Sequence, residues 1–100
     1  MKILILRSAL KDLRNGNSFY DSQGKGLGEY FSDSILSDIE SLVLYAGIHK
    51  IVHGYSRLLC KRFPYAIYYE ISNEEIRIRA ILDCRRHPSW IAERLKRENS

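Results

Sequence analysis

The apolar positions change period along the chain, and each change marks an element. Ile3 to Leu6 is a short run of branched residues that predicts a buried strand. From Ser8, placed to cap a helix, Ala9, Leu10 and Leu13 recur at helical spacing towards Phe19 and Tyr20. Gly16, between Asn15 and Asn17, predicts fraying or a kink there, since a glycine inside a helix costs about 1 kcal/mol relative to alanine. Ser22 to Gly26 is a connector. A second helix then carries Leu27, Phe31, Ile35, Ile39, Leu42 and Val43 as one stripe. Glu29, Ser32, Asp33, Ser37 and Glu40 lie opposite, and Gly47 is its stop. Two helices joined by a glycine turn make an antiparallel hairpin whose stripes need a sheet to cover.

Residues 48–56 carry little periodicity and read as a loop holding His49 and His53. After that the period falls to two. Tyr55 to Lys61 predicts a strand, and Arg62-Phe63-Pro64-Tyr65 turns into the next, Pro64 lacking the donor a strand interior needs. Tyr65 to Ser72 is aromatic and β-branched, Ser72-Asn73-Glu74 is a turn, and Glu75 to Asp83 alternates. In that last strand Ile76, Ile78, Ala80 and Leu82 are expected on one face, with Glu75, Arg77, Arg79 and Ile81 on the other. Arg85, Arg86 and His87 follow in a loop closed by Pro88. A short helix comes next, with Trp90, Ile91 and Leu95 towards the core and Arg94, Lys96 and Arg97 near its end, where cations suit the helix dipole. The elements add up to one small α+β domain over residues 1–100, in the order β-α-α-β-β-β with a short C-terminal helix.

Charge narrows the picture. The net charge is +4, and residues 51–100 hold ten Lys/Arg against six Asp/Glu while residues 1–50 hold six of each. The second half therefore favours an acidic partner, either nucleic acid or an acidic protein surface. Cys60 and Cys84 form no CxxC and no zinc spacing, so two reduced, partly buried thiols are expected, with no metal and no cofactor. His49 and His53 stand four apart without a third ligand nearby, which argues for loop histidines. The opening apolar run breaks at Arg7, too short for a signal segment or a membrane span, so a cytosolic protein is expected. Gly24, Gly26 and Gly28 follow a helix rather than a strand and lack the lysine and hydroxyl of a nucleotide loop, so they read as a helix-to-helix turn.

The order and spacing of several residues together resemble the RelE/ParE toxin superfamily of bacterial toxin–antitoxin systems, in its ParE-like, plasmid-stabilisation branch. The resemblance runs over almost the whole chain. It begins with Ala9, Asp12 and Leu13, continues through Tyr20, Gln23, Gly26-Leu27-Gly28 and Phe31, and takes in Arg57, Arg62-Phe63-Pro64-Tyr65 and Tyr69. It ends with Ile76, Ile78 and Ala80 leading to Arg85-Arg86, Pro88 and Trp90. It implies a helical hairpin packed on an antiparallel-type sheet. It also implies a cognate antitoxin, forming a toxin–antitoxin hetero-oligomer, and a toxin that inhibits by binding, with DNA gyrase as the usual target. On that reading Arg62, Arg85, Arg86, Trp90 and Arg94 are the target-binding residues. Leu10, Leu13, Phe31 and Tyr68 are the antitoxin-binding ones.

RelE-like relatives are instead ribosome-dependent mRNA endonucleases, which would make the ribosome and mRNA the partners. Cleavage through a 2′-hydroxyl needs proton acceptors and donors as well as cations. The chain supplies cations, and its candidate catalytic residues are Arg57, Arg85 and His87. Positions usually basic in the nucleases are Leu59 and Ala66 here. Cys84 stands where many relatives have histidine, and Trp90 falls near a catalytic tyrosine's place. The leading expectation is therefore a binder and not an enzyme. The ribonuclease is the alternative, and a decayed toxin that only binds its antitoxin is the third.

Overall fold

The computed structural model describes residues 1–98. The elements are β1 (Lys2–Ile5), α1 (Arg7–Asp21), α2 (Leu27–Glu40), α3 (Leu42–Tyr45), β2 (Ile51–Val52), β3 (Tyr55–Leu59), β4 (Tyr65–Ser72), β5 (Glu75–Asp83) and α4 (Pro88–Glu98). The strands form one sheet in the order β1-β5-β4-β3-β2. The expected antiparallel pairing joins β2 through β5, while β1 returns to the far edge and lies parallel to β5. As an edge strand it leaves Leu4 exposed, where a fully buried run was expected.

Glycine lets the two long helices meet. A Cβ on Gly16 would lie 2.5 Å from the ring of Phe31, itself fully buried, and one on Gly28 would lie 2.6 Å from the Asn17 carbonyl oxygen. Gly16 therefore neither frays nor kinks α1, which runs unbroken past it: the glycine is there because a side chain would not fit. Asn17 seals the crossing, donating its amide to the Gly28 carbonyl at 2.9 Å and to the Ser32 hydroxyl at 2.7 Å. Gly26, at φ 86°, makes the turn between the helices.

Several boundaries differ from the sequence pattern. Ser8 lies inside α1 rather than capping it; Leu6 holds the cap position, without a side-chain cap. The second helix stops at Glu40 because Ser41 turns its hydroxyl back to the Asp38 carbonyl at 2.6 Å, competing with the helix backbone. Only the short α3 follows, with Leu42 buried and Val43 exposed, so Val43 leaves the stripe. The stretch expected to be a loop contains β2, closed onto β3 by a two-residue turn with His53 at φ 51° and Gly54 at φ 86°. The following strand ends at Leu59, two residues before the expected Lys61.

The largest correction concerns the faces of β5. Tyr69 pairs with Ile78 but Tyr68 pairs with Ala80, so Arg79 is the extra residue of a β-bulge. The strict alternation expected for Ile76, Ile78, Ala80 and Leu82 breaks there. Ile76, Ile78 and Ile81 join Tyr65, Ile67 and Tyr69 beneath the helical hairpin. Ala80 and Leu82 join Tyr55, Ala66, Tyr68 and Leu95 on the opposite face, beneath α4. The sheet thus has a core on each side. The hairpin side is the larger, built on Phe31, Ile35, Ile39 and Leu42.

Candidate functional site

The loops at one end of the sheet, residues 60–64 and 84–87, bring cations beside a cluster of rings. Tyr20 stacks on Phe31 at 5.0 Å between centroids and meets Phe63 edge-on at 4.8 Å; Phe31 meets Phe63 at 5.0 Å and Tyr65 at 4.9 Å. Such pairs add about 0.5–1.5 kcal/mol each beyond their buried area, enough to hold a loop in place. Phe19 and Tyr30 flank the cluster and stand about half exposed. Phe63 anchors the β3–β4 loop in the ring cluster, and the Pro64 carbonyl accepts the Cys84 N–H at 2.8 Å, tying that loop to the one after β5.

Arg85 is exposed but held. Its Nε and Nη2 donate to Asp83 at 3.0 and 2.8 Å, its backbone N–H donates to the same carboxylate at 2.8 Å, and Nη2 reaches the Tyr20 hydroxyl at 3.4 Å. Those bonds hold the Asp83 carboxyl below the usual carboxylate range and push the Arg85 guanidinium up. Arg86 lies with its guanidinium carbon 3.9 Å above the Trp90 ring, a cation–π contact that presents both groups at the start of α4. Arg62 is exposed in the neighbouring loop.

His87 occupies the N-cap position of α4: its carbonyl accepts the N–H groups of Trp90 and Ile91, and its Nδ1 accepts the Ser89 N–H at 3.1 Å. The Ser89 hydroxyl lies 2.7 Å from the same nitrogen. One ring nitrogen is therefore spent on capping a helix. Arg57 is on the α4 face of the sheet, opposite Tyr68, and its buried Nε has no hydrogen-bond partner. Burial pushes up the Tyr68 hydroxyl and the Cys84 thiol, while the nearby Arg57 charge opposes both shifts. Tyr65 is pushed up to about 12, by burial first and by Asp83 second. Both cysteines are free thiols. Cys60 is partly buried as expected, whereas Cys84 is exposed.

The structure separates residues that the sequence grouped. Arg94 is no surface cation. Its Nη1 and Nη2 donate to the two Asp12 oxygens at 2.7 and 2.8 Å and its Nε to Glu98 at 2.9 Å, with side chains only 10–13% exposed. Asp12 also accepts the Ile81 N–H at 3.0 Å, on the stretch of β5 that β1 does not reach. The Ser8 hydroxyl lies 2.8 Å from Glu98 and 3.3 Å from the Arg79 carbonyl oxygen. These bonds clamp α4 to α1 and β5. Of the residues expected to face an antitoxin, Leu13, Phe31 and Tyr68 are buried in this chain's own cores and Leu10 is half-buried.

Sequence reasoning missed Asp12 as a structural residue and the rings Phe19, Tyr20 and Tyr30 as part of the site. Asp12 had a signal: a carboxylate among Ala9, Leu13 and Gly16 on the buried stripe needs a cationic partner. Between α1 and α4 runs an open groove of about 640 Å³, with Phe19, Tyr65, Asp83, Arg86, Trp90 and Lys11 among its walls. Among the described residues no three His, Cys, Asp or Glu side chains converge as a metal site, and no helix is long and apolar enough to cross a membrane.

No protein-family model matches the chain, and no curated protein does. A solved structure does. A chain of the chromosomal ParDE TA system from P. aeruginosa superposes with a TM-score of 0.74 at 23% identity, over 81% of this chain and 92% of that one. The chain thus shares the fold of a ParDE system component, the fold that its sequence motifs implied.

Proposed function

We propose that this chain is the toxin of a bacterial toxin–antitoxin pair, ParE-like, which acts in the cytoplasm by binding a target such as DNA gyrase and is neutralised by a cognate antitoxin. The observation that carries this reading is the basic and aromatic end of the sheet on a fold shared with a ParDE chain. Arg62, Arg85, Arg86 and Trp90 lie together at that end, and Arg and Trp are the residue types that dominate binding hot spots. Arg85 is held by Asp83 and Tyr20, so its position is set before any partner arrives and less side-chain freedom is lost on binding. Arg94 drops out of the contact surface because Asp12 and Glu98 use it.

A RelE-like mRNA endonuclease is the second reading, and Arg57 is what favours it: a cation with an unpartnered buried nitrogen beside Tyr68 and Cys84. Against it, His87 spends Nδ1 on the α4 cap. Decay of the fold gains no support from Gly16, which the helix crossing requires.

The test is brief expression without antitoxin, following DNA, RNA and protein synthesis side by side for the natural chain and for Arg85→Ala/Arg86→Ala. The expected result is an early stop in DNA synthesis with intact mRNA, relieved by the double substitution, and inhibition of supercoiling by the purified chain. Cut mRNA in ribosome-covered frames, abolished by Arg57→Ala, would move the ribonuclease to first place. Unimpaired growth would leave only antitoxin binding.

A further inference from the structure

The β2 side of the molecule carries a different surface. Within nine consecutive residues, Val43, Leu44, Tyr45, Ile48 and Ile51 are all more than half exposed, with Leu44 at 79%, Ile48 at 75% and Ile51 at 63%. Ile71 extends the group: its Cδ1 lies 3.7 Å from where a Cβ on Gly47 would stand, and it too is exposed. Half a dozen large apolar side chains in one place exceed what a monomer scatters over its surface, and contiguous apolar patches of this kind mark interaction sites. The segment holding them is built, not loose. The Tyr69 hydroxyl accepts the Gly47 N–H at 3.0 Å and is hydrogen-bonded to His49 Nδ1, tying the loop to the core.

This patch adjoins the free edge of the sheet. The Lys50 carbonyl accepts the Arg57 N–H, and Val52 pairs with Tyr55. In an antiparallel ladder the residue between two hydrogen-bonded pairs turns its own N–H and C=O away, so those of Ile51 point outward from β2. An outward-pointing donor and acceptor beside exposed apolar side chains form an edge that is open to strand pairing. Charge selects the occupant. From Ser41 to Val52 the chain has one charged side chain, Lys50, whereas the basic cluster of Lys61, Arg62, Arg85 and Arg86 lies at the opposite end of β4 from Ile71. Antiparallel pairing of two copies along this near-neutral edge leaves their cationic ends pointing apart. A patch of aliphatic side chains is also complementary to itself.

We propose that the chain forms a two-fold symmetric homodimer through the outer edge of β2 and the apolar patch around it. Ile51 pairs with Ile51 of the second copy, so Lys50 falls opposite Val52 and not opposite another lysine. The two sheets join into one of ten strands, and the two patches close on each other in an isologous interface. Both basic, aromatic ends stay open to solvent. The dimer does not depend on the toxin reading, since it uses none of the residues assigned to the target.

Analytical ultracentrifugation of the full chain from micromolar to near-millimolar concentration tests it. The expected mass is twice 11.7 kDa at the upper concentrations. Ile51→Lys and Ile48→Glu, both at exposed positions, should each weaken association at least tenfold with an unchanged circular dichroism spectrum. Ile51→Cys in a Cys84→Ser background gives the positive readout. A hydrogen-bonded cross-strand pair has its Cα atoms about 5.5 Å apart, so a short bis-maleimide should crosslink two copies through these thiols. A monomer at every concentration overturns the proposal and leaves the patch to a protein of different sequence. A dimer that keeps its affinity in both surface variants, or that never crosslinks at Ile51→Cys, overturns it as well.

Discussion

Removing Arg94 is the most informative perturbation of this fold, because it tests whether that arginine serves a partner or the chain itself. Arg94 makes a two-pronged bond to Asp12 and a third bond to Glu98, with both carboxylates nearly covered. Breaking a buried pair by removing one partner costs about 3–5 kcal/mol; with side chains here still reached by some water, about 2–3 kcal/mol is expected for Arg94→Met. Asp12→Ala should cost at least as much, since it also strips the Ile81 N–H of its acceptor, a loss of about 1–3 kcal/mol. Asp12→Asn/Arg94→Met, which removes both charges and keeps an oxygen for Ile81, should lose less than the sum of Asp12→Asn and Arg94→Met measured singly.

The pH dependence supplies the sharper check. Burial already raises the Asp12 carboxyl above its ordinary value in spite of Arg94. Without the guanidinium it must rise further, while the unfolded chain still releases that proton near pH 3.9. Between the two values the folded state holds a proton that the unfolded state has lost, so stability falls as pH rises. The penalty of Arg94→Met is therefore complete above the folded value and shrinks on acidification towards pH 4. Urea titrations followed by Trp90 fluorescence suit the purpose, because the chain has one tryptophan and it sits on α4. A coupling between the two sites below about 0.5 kcal/mol, or a penalty that does not change with pH, would refute the clamp.

Gly16→Ala should lose about 1–3 kcal/mol by forcing a methyl against the buried Phe31 ring, and Gly28→Ala should lose more, because its nearest obstacle is backbone; thermal melts rank the two. Tyr69→Phe removes the hydroxyl shared by Gly47 and His49 and should cost about 1–2 kcal/mol in chemical denaturation, with faster amide exchange at Gly47. At alkaline pH the unfolded chain gives up the Tyr65 proton near 10 while the folded chain keeps it to about 12, so stability falls across that window. Tyr65→Phe should flatten that part of the pH profile, and an unchanged slope would count against burial of the hydroxyl.

Much of this protein was legible without its structure. The helical stripe of Phe31, Ile35 and Ile39 and the bounds of β4 and β5 follow from periodicity and turn chemistry, which act over a few neighbouring residues. So did the grouping of Arg85, Arg86 and Trp90, since they are near in sequence. Tertiary structure decided the rest, for reasons local pattern does not contain. The bulge at Arg79 exists only in the pairing of β5 with β4, so the transfer of Ala80 and Leu82 to the α4 face could not be read from β5 alone. Gly16 looked like a flaw in a helix until Phe31, fifteen positions on, was seen to need its space. Arg94 looked like surface charge because its partner, Asp12, is 82 residues away in sequence. A sequence pattern states which side chains must be covered. Only the fold states what covers them, because burial is a relation between elements that the chain brings together late.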